Sequence, residues 1–109
     1  MSSTPSPGFM LTIFYKAKDT ARFDIDYYTK SHIPVTIDKW RPLGLINGYV
    51  VKVVGESEYS YYFNCTWKDQ EHWEIAKAGK GDVEELKQDI KNFTDAWPTY
   101  TEGTVVDAW

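Results

Sequence analysis

The sequence contains one cysteine, two histidines and two methionines in 109 residues. With Cys65 alone, the chain cannot form an intrachain disulfide, which excludes the disulfide-stabilised secreted domains and favours a reducing compartment. Long hydrophobic runs are also missing, since none approaches the roughly 20 residues that a membrane-spanning helix needs. We therefore expect a cytoplasmic protein that does not insert into a membrane.

Basic residues are too few and too scattered for nucleic-acid binding. The chain has 12 Lys and Arg against 16 Asp and Glu, a formal charge of -4 and a pI near 5.1. Phosphate backbones are bound through concentrated basic patches, and no Lys/Arg cluster occurs here. Glycine-rich phosphate loops and nucleophile-elbow motifs are absent as well. These absences exclude nucleic-acid binding and the common nucleotide-binding motifs.

Aromatic residues are abundant, at 17% of the chain with five Trp and eight Tyr. Such a fraction exceeds what a small core needs, and excess aromatic surface is typical of a pocket or an interface. The length suits one domain, which we place at residues 9–109, after a flexible lead-in at residues 1–8 that is rich in Ser and Pro.

The order of elements predicts an α+β fold. Bulky and β-branched runs indicate strands, and capping residues with apolar periodicity indicate helices. The predicted strands cover residues 9–16, 45–54, 59–67 and 100–109, and the helices follow Asp24, Asp69 and Asp82. The order βαββαβ is that of ferredoxin-like domains, a four-stranded antiparallel sheet with helices on one face. The two hairpin strands are apolar at nearly every position, so both faces of the sheet should be covered, the second face by another subunit in a homodimer.

A histidine lies on the apolar face of the first helix. With Asp24 as the cap, Ile25, Tyr28, Val35 and Trp40 fall near helical spacing, and His32 lies on the same stripe. An imidazole has an ordinary pKa of about 6.5, so in a partly buried pocket it is suited to proton transfer. The alternative is a core histidine that only bonds a backbone carbonyl.

Four sequence features resemble the small EthD-domain proteins. The first is F-D-x-D-Y-Y-x-x-x-H-x-P at residues 23–34, and the second is W-x-P-x-G-L at residues 40–45. The third is a hairpin strand ending in Thr66-Trp67, and the fourth is Asn92-Phe93-Thr94 before the last strand. The resemblance covers nearly the whole chain from Phe9 to Val106. It implies a dimeric α+β barrel in which each subunit holds a pocket between its own sheet and helices. Related proteins include polyketide cyclases, muconolactone isomerases, decarboxylases or dehydratases of aromatic polyketides, and auxiliary proteins of ether degradation, so the fold does not select the reaction.

The candidate catalytic residues are His32 as general base and Tyr28 one helical turn before it. Tyr28 could orient the imidazole or donate a hydrogen bond to a substrate oxygen, with plain packing as its alternative role. Proton transfer next to a carbonyl needs no metal and no redox cofactor, so we expect neither. His72, the other histidine, has no metal-ligand spacing to His32.

A further set of residues could contact an apolar substrate. The hairpin strand from residue 59 alternates, so Tyr62 and Asn64 share one face while Cys65 and Trp67 share the other, and either face could line the pocket. A cysteine at the position of Cys65 is shared with the muconolactone isomerase relatives, although a buried Cys usually acts as a small hydrophobic residue. The candidate substrate-binding residues are Thr36, Trp40, Tyr62, Asn64, Cys65, Trp67, Phe93 and Tyr100.

These features favour a cofactor-independent cyclase, isomerase, or hydro-lyase or decarboxylase of secondary metabolism, acting on an apolar oxygenated, aromatic or polyketide-like metabolite. A non-catalytic carrier of such a metabolite is the first alternative. An oxygenase that is cofactorless, or that binds haem through His32, is the second.

Overall fold

The computed structural model describes residues 6–16 and 22–109. Four strands and three helical regions alternate along the described chain in the order that the sequence predicts. The strands are β1 (Phe9–Lys16), β2 (Leu45–Lys52), β3 (Tyr59–Trp67) and β4 (Thr99–Thr104). The helices are α1 (residues 25–40), α2 (residues 70–80) and α3 (residues 83–92).

The strands form one antiparallel sheet in the order β2-β3-β1-β4. The two central strands, β1 and β3, are not consecutive in the chain, and this is the arrangement of a ferredoxin-like α+β fold. The predicted fold class is therefore confirmed. Two strands were predicted too long, since β2 ends at Lys52 and β4 ends at Thr104. The last residues, Val105 to Trp109, continue without strand pairing, except for a hydrogen bond from the Val105 amide to the Gly8 carbonyl.

Helix α1 begins where the sequence places its cap. The Asp24 carboxylate accepts a hydrogen bond from the Tyr27 amide at 3.0 Å, which satisfies one of the free donors of the first turn. The helix then widens into a π-turn at Tyr28–His32 and returns to α geometry at Ile33–Trp40. Pro34 accounts for the change, since it lacks an amide proton and its ring would clash with a carbonyl one turn earlier. The histidine thus lies at the end of a π-turn.

Helices α2 and α3 meet at a sharp break. Asp69 caps α2 through a 2.9 Å hydrogen bond from the His72 amide, and Gly79 closes it with a φ of 141°, a conformation that glycine adopts without steric cost. Asp82 was expected to cap α3, but it has left-handed backbone geometry and its side chain makes no cap. Its carboxylate instead accepts a hydrogen bond from Lys39 Nζ at 2.7 Å, which ties α3 to α1.

The helices cover one face of the sheet. Phe9, Leu11, Phe63, Cys65 and Trp67 point from β1 and β3 into the buried core on that face. The opposite face has no covering element among residues 6–16 and 22–109, and its side chains alternate with the buried ones; they include Met10, Thr12, Phe14, Tyr49, Val51, Tyr62 and Asn64. None of the helices in the described ranges has the length and apolar character needed to cross a bilayer.

Candidate active site

A cavity of about 250 Å³ lies between the sheet and the helices. Its inner wall is mostly apolar and aromatic, with the imidazole of His32 among a few polar groups. Charged side chains from α2 and α3 stand at its edge. The lining residues are Leu11, Ile13, Tyr15, Tyr28, His32, Ile33, Thr36, Trp40, Phe63, Trp73, Lys77, Val83, Glu84, Leu86, Lys87, Ile90, Pro98 and Tyr100.

His32 is buried, with 8% of its surface exposed, and it is paired to a carboxylate. Its Nδ1 lies 2.9 Å from Asp89 Oδ2 on α3. A carboxylate can only accept a hydrogen bond, so Nδ1 carries the proton and Nε2 is the free basic nitrogen. Asp89 borders an outer groove with Tyr27 and Lys39 rather than the cavity. The nitrogen that remains for the cavity is therefore Nε2.

The Asp89 carboxylate is held by three donors. Its Oδ1 accepts hydrogen bonds from the Tyr27 hydroxyl at 2.7 Å and from the Asn92 amide at 2.8 Å, while Oδ2 faces His32. Burial acts to raise the pKa of Asp89, but the hydrogen bonds from Tyr27, Asn92 and His32 together lower it. Asp89 is therefore ionised at neutral pH and fixes the orientation and tautomer of the imidazole.

The imidazole itself is neutral at physiological pH. Burial lowers the pKa of His32 below its ordinary value, and this outweighs the hydrogen bond and the negative charge of Asp89, which act to raise it. A neutral ring can accept a proton at Nε2, and the imidazolium that forms lies against an ionised carboxylate. The group is thus electrically suited to act as a general base near pH 7.

Neighbouring rings hold His32 in place. The Tyr28 ring stacks on the imidazole with centroids 5.6 Å apart, and the Phe93 ring packs beside it at 4.7 Å. The Thr36 hydroxyl donates to the His32 carbonyl at 2.9 Å, a bond that anchors the helix at the turn where Pro34 removes an amide donor. Backbone and ring are both restrained, as a positioned base requires.

The structure brings half of the predicted site residues to the cavity. Tyr28, Thr36, Trp40 and Tyr100 line it together with His32. Cys65, Trp67 and Phe93 are fully buried in the surrounding core and do not line it. Tyr62 and Asn64 lie on the opposite face of the sheet, where Asn64 donates to the Thr12 hydroxyl at 2.9 Å. The face of β3 that the helices cover is therefore the one that carries Phe63, Cys65 and Trp67. Of these three residues, only Phe63 lines the cavity.

Sequence reasoning did not identify Asp89, Tyr27 or Tyr15. Asp89 follows Leu86 by three residues and precedes Ile90, so it borders the core-facing stripe of α3, a weak signal that many surface acids share. Tyr15 gives a stronger one, since it follows Leu11 and Ile13 at alternate positions of β1 and places a hydroxyl on the buried face.

Metal ligation finds no support in the described residues. Across residues 6–16 and 22–109, no group of three or more His, Cys, Asp or Glu side chains is placed to hold a metal ion. His72 pairs with Asp69 at 2.6 Å at the start of α2, far along the chain from His32.

Comparison with solved structures relates the fold to several small proteins. An EthD-like protein from Ralstonia eutropha superimposes with a TM-score of 0.77 at 23% identity, covering 94% of this chain and 96% of that one. The chain has the fold of the EthD-like proteins. The resemblance predicted from the sequence blocks is thus confirmed at the level of the fold. None of the sequence models of known protein families matches the chain, and no curated protein sequence matches it.

Two other solved structures share this EthD-like fold. SnoaB from Streptomyces nogalater, a cofactor-independent oxygenase, has a TM-score of 0.66 at 10% identity over 94% of this chain and 97% of its own. A dimeric ferredoxin-like protein from an uncultured marine organism has a TM-score of 0.65 at 18% identity over 95% and 100%. The fold therefore occurs both in a cofactor-independent enzyme and in a dimer.

Proposed function

We propose that this protein is a cofactor-independent acid–base enzyme in which His32 is the general base. The single observation that carries the proposal is the 2.9 Å contact between His32 Nδ1 and Asp89, a residue outside the cavity that the imidazole lines. This leaves Nε2 as a neutral acceptor beside apolar walls. The arrangement is that of an oriented base whose imidazolium form is stabilised by a carboxylate.

The reaction class follows from what such a base can do. Nε2 removes a proton from a carbon next to a carbonyl, and the electron pair moves onto the carbonyl oxygen as an enolate. Returning the proton to another carbon isomerises the substrate, returning it to a hydroxyl eliminates water, and attack of the enolate on a second carbonyl closes a ring. All three reactions use the same first step, so the residues favour an isomerase, hydro-lyase or cyclase without choosing among them.

The size of the cavity limits the substrate. An apolar cavity of about 150 Å³ accommodates benzene, and the cavity here measures about 250 Å³. One or two rings, or a short chain of similar volume, would fill it. We therefore propose an apolar ketone or phenol of that size rather than an extended polyketide.

The test uses 2-tetralone, a two-ring ketone with exchangeable protons next to its carbonyl. In heavy water, the protein should accelerate deuterium incorporation at those carbons, followed by NMR, and His32→Gln should reduce the acceleration by a factor of about 10²–10⁴. The exposed Lys30→Gln, in the same helix turn, is the matched control. Exchange that is equally fast with His32→Gln would contradict the role of His32.

A cofactorless oxygenase is the second candidate, and the fold shared with SnoaB favours it. The same base could ionise a phenol so that it reacts with oxygen. Oxygen uptake by the purified protein with one- and two-ring phenols would support this reaction.

Haem ligation through His32 would instead give a Soret band, and a non-catalytic carrier would bind 2-tetralone without accelerating its exchange.

We further propose a homodimer formed through the uncovered face of the sheet. That face carries Met10, Phe14, Tyr49 and Val51, and Tyr49 is 56% exposed in the single chain. The dimeric ferredoxin-like neighbour supports this arrangement. Light scattering should give about twice the 12.6 kDa mass of one chain, and Val51→Lys should halve it. A mass of one chain for the unaltered protein would contradict the proposal.

A further inference from the structure

Two tyrosine hydroxyls meet at the inner wall of the cavity. Tyr15 on β1 and Tyr28 on α1 both line it, and each is at most 2% exposed. Their rings pack edge to face, with centroids 5.8 Å apart and planes at 83°. The two hydroxyls lie near enough to each other that each affects the pKa of the other.

This pair has more protons to donate than protein acceptors. Each phenol hydroxyl has one proton to donate, and a hydrogen bond between the two hydroxyls could use at most one of the two. Within residues 6–16 and 22–109, neither hydroxyl hydrogen-bonds to any other side chain. The remaining proton therefore has no protein acceptor in the described chain, and the open space that both side chains border is the cavity.

Burial keeps both groups in the form that donates. Desolvation raises the pKa of Tyr15 well above its ordinary value. Desolvation also raises the pKa of Tyr28, and the neighbouring Tyr15 hydroxyl raises it further. Both phenols stay protonated throughout the physiological pH range. An O–H group that borders the cavity and has no protein acceptor can donate to an oxygen that enters the cavity.

We propose that Tyr15 and Tyr28 form an oxygen-binding subsite that donates a hydrogen bond to the carbonyl or phenol oxygen of the substrate. This inference rests on the proposed acid–base function. The Tyr28 ring lies against the His32 ring, with centroids 5.6 Å apart, so one small molecule can reach both. As Nε2 takes the proton from carbon, the electron pair passes to the substrate oxygen, and the tyrosine proton stabilises the charge that develops there.

The test compares two ligands of the same shape, 2-naphthol and 2-methylnaphthalene, which differ in a hydroxyl against a methyl group. The ratio of their affinities is measured by fluorescence titration for the unaltered protein and for the double variant Tyr15→Phe/Tyr28→Phe. Both tyrosines are replaced because either hydroxyl alone could still donate. In the double variant, the affinity for 2-naphthol relative to 2-methylnaphthalene should fall by about two- to tenfold, which corresponds to the loss of one neutral hydrogen bond. Tyr49→Phe, on the uncovered face of the sheet, removes a hydroxyl far from the cavity and should leave the ratio unchanged.

An unchanged ratio in the folded double variant, or no binding of 2-naphthol to the unaltered protein, would overturn the subsite. If the double variant does not fold, by circular dichroism, the unaltered protein is tested alone, and an affinity ratio of 2-naphthol to 2-methylnaphthalene no higher than their partition ratio between cyclohexane and water would overturn the subsite. His32→Gln separates this inference from the proposed function. If the affinity ratio changes with His32→Gln but not with the phenylalanine substitutions, the ligand hydroxyl bonds to the imidazole, and the subsite is overturned. If 2-tetralone exchange is independent of His32, only the acid–base function is refuted.

Discussion

Two aromatic clusters lie on the covered face of the sheet, and they use their polar atoms in opposite ways. The tryptophan cluster (Trp40, Trp67 and Trp73) packs with centroids 5.2–5.6 Å apart. All three of its indole N–H groups bond to protein atoms: the Gly81 carbonyl, the Cys65 sulfur and the Glu102 carboxylate. The tyrosine–histidine cluster (Tyr15, Tyr28, His32 and Phe93) leaves Nε2 and at least one hydroxyl proton without a hydrogen-bond partner in the described chain.

This contrast separates stability from chemistry. An indole N–H that already donates to a protein atom is not available to a ligand, whereas a cavity-facing polar atom without a protein partner can form a hydrogen bond with one. We infer that the tryptophan cluster contributes mainly to the free energy of unfolding and that the tyrosine–histidine cluster contributes mainly to binding and proton transfer.

The largest expected effect concerns stability at the tryptophan cluster. Trp67 is fully buried, so Trp67→Ala should lower the free energy of unfolding by about 3–5 kcal/mol, measured by denaturant titration. Trp97, which is 68% exposed, is the matched control, and Trp97→Ala should cost less than about 0.5 kcal/mol. Similar losses at the two positions would contradict the role given to the tryptophan cluster.

The next effect concerns activity at the other cluster. Asp89→Asn should slow 2-tetralone exchange by at least about tenfold, and the loss approaches ~10⁴ where an amide imposes the wrong tautomer. The acid limb of the pH profile should also move to lower pH, because the carboxylate acts to raise the pKa of His32. A purely structural role would slow exchange without moving that limb. Asp26→Asn, at an exposed position on α1, should alter neither quantity.

His32 and Asp89 also show which part of the site can be predicted from the sequence alone. The caps at Asp24 and Asp69, the order of strands and the inward position of His32 all follow from local spacing, and each agrees with the structure. Asp89 lies 57 positions from His32, and their contact depends on how α3 packs on α1. No local pattern encodes that packing, so the partner of the imidazole was missed.

The sequence left open which face of β3 lines the pocket, for a related reason. Alternation separates Tyr62 and Asn64 from Phe63 and Cys65, but both faces of β3 carry aromatic side chains, so hydrophobicity does not tell which one the helices cover. Tyr62 and Asn64 were therefore included among the pocket candidates although they face away from the cavity. The helix connections decide the question, and they are a property of the whole fold.

A smaller effect links His32 to the pH dependence of stability. The folded-state pKa of His32 is lowered below the ordinary value of 6.5, so between those two pKa values the unfolded chain binds more protons than the folded one. Stability is then fully present above pH 6.5 and decreases as the pH falls through the folded-state pKa. Thermal melts should therefore show a decline in that window, and His32→Gln should remove that part of it. An identical decline in the variant would assign the effect to other groups.

The smallest effect is expected at Cys65, which was a candidate for the pocket but belongs with the tryptophan cluster. Its side chain is fully buried, and its sulfur accepts from Trp67 Nε1 at 3.3 Å. Burial raises the pKa of the thiol to about 12, against the opposing effect of the Trp67 hydrogen bond, so almost no thiolate exists at neutral pH and nucleophilic reactivity is suppressed. Iodoacetamide should leave the native protein unmodified by mass spectrometry and should alkylate it fully in denaturant. Alkylation of the native protein that 2-naphthol blocks would instead place the sulfur at the cavity, and the division between the two clusters would then fail at this residue.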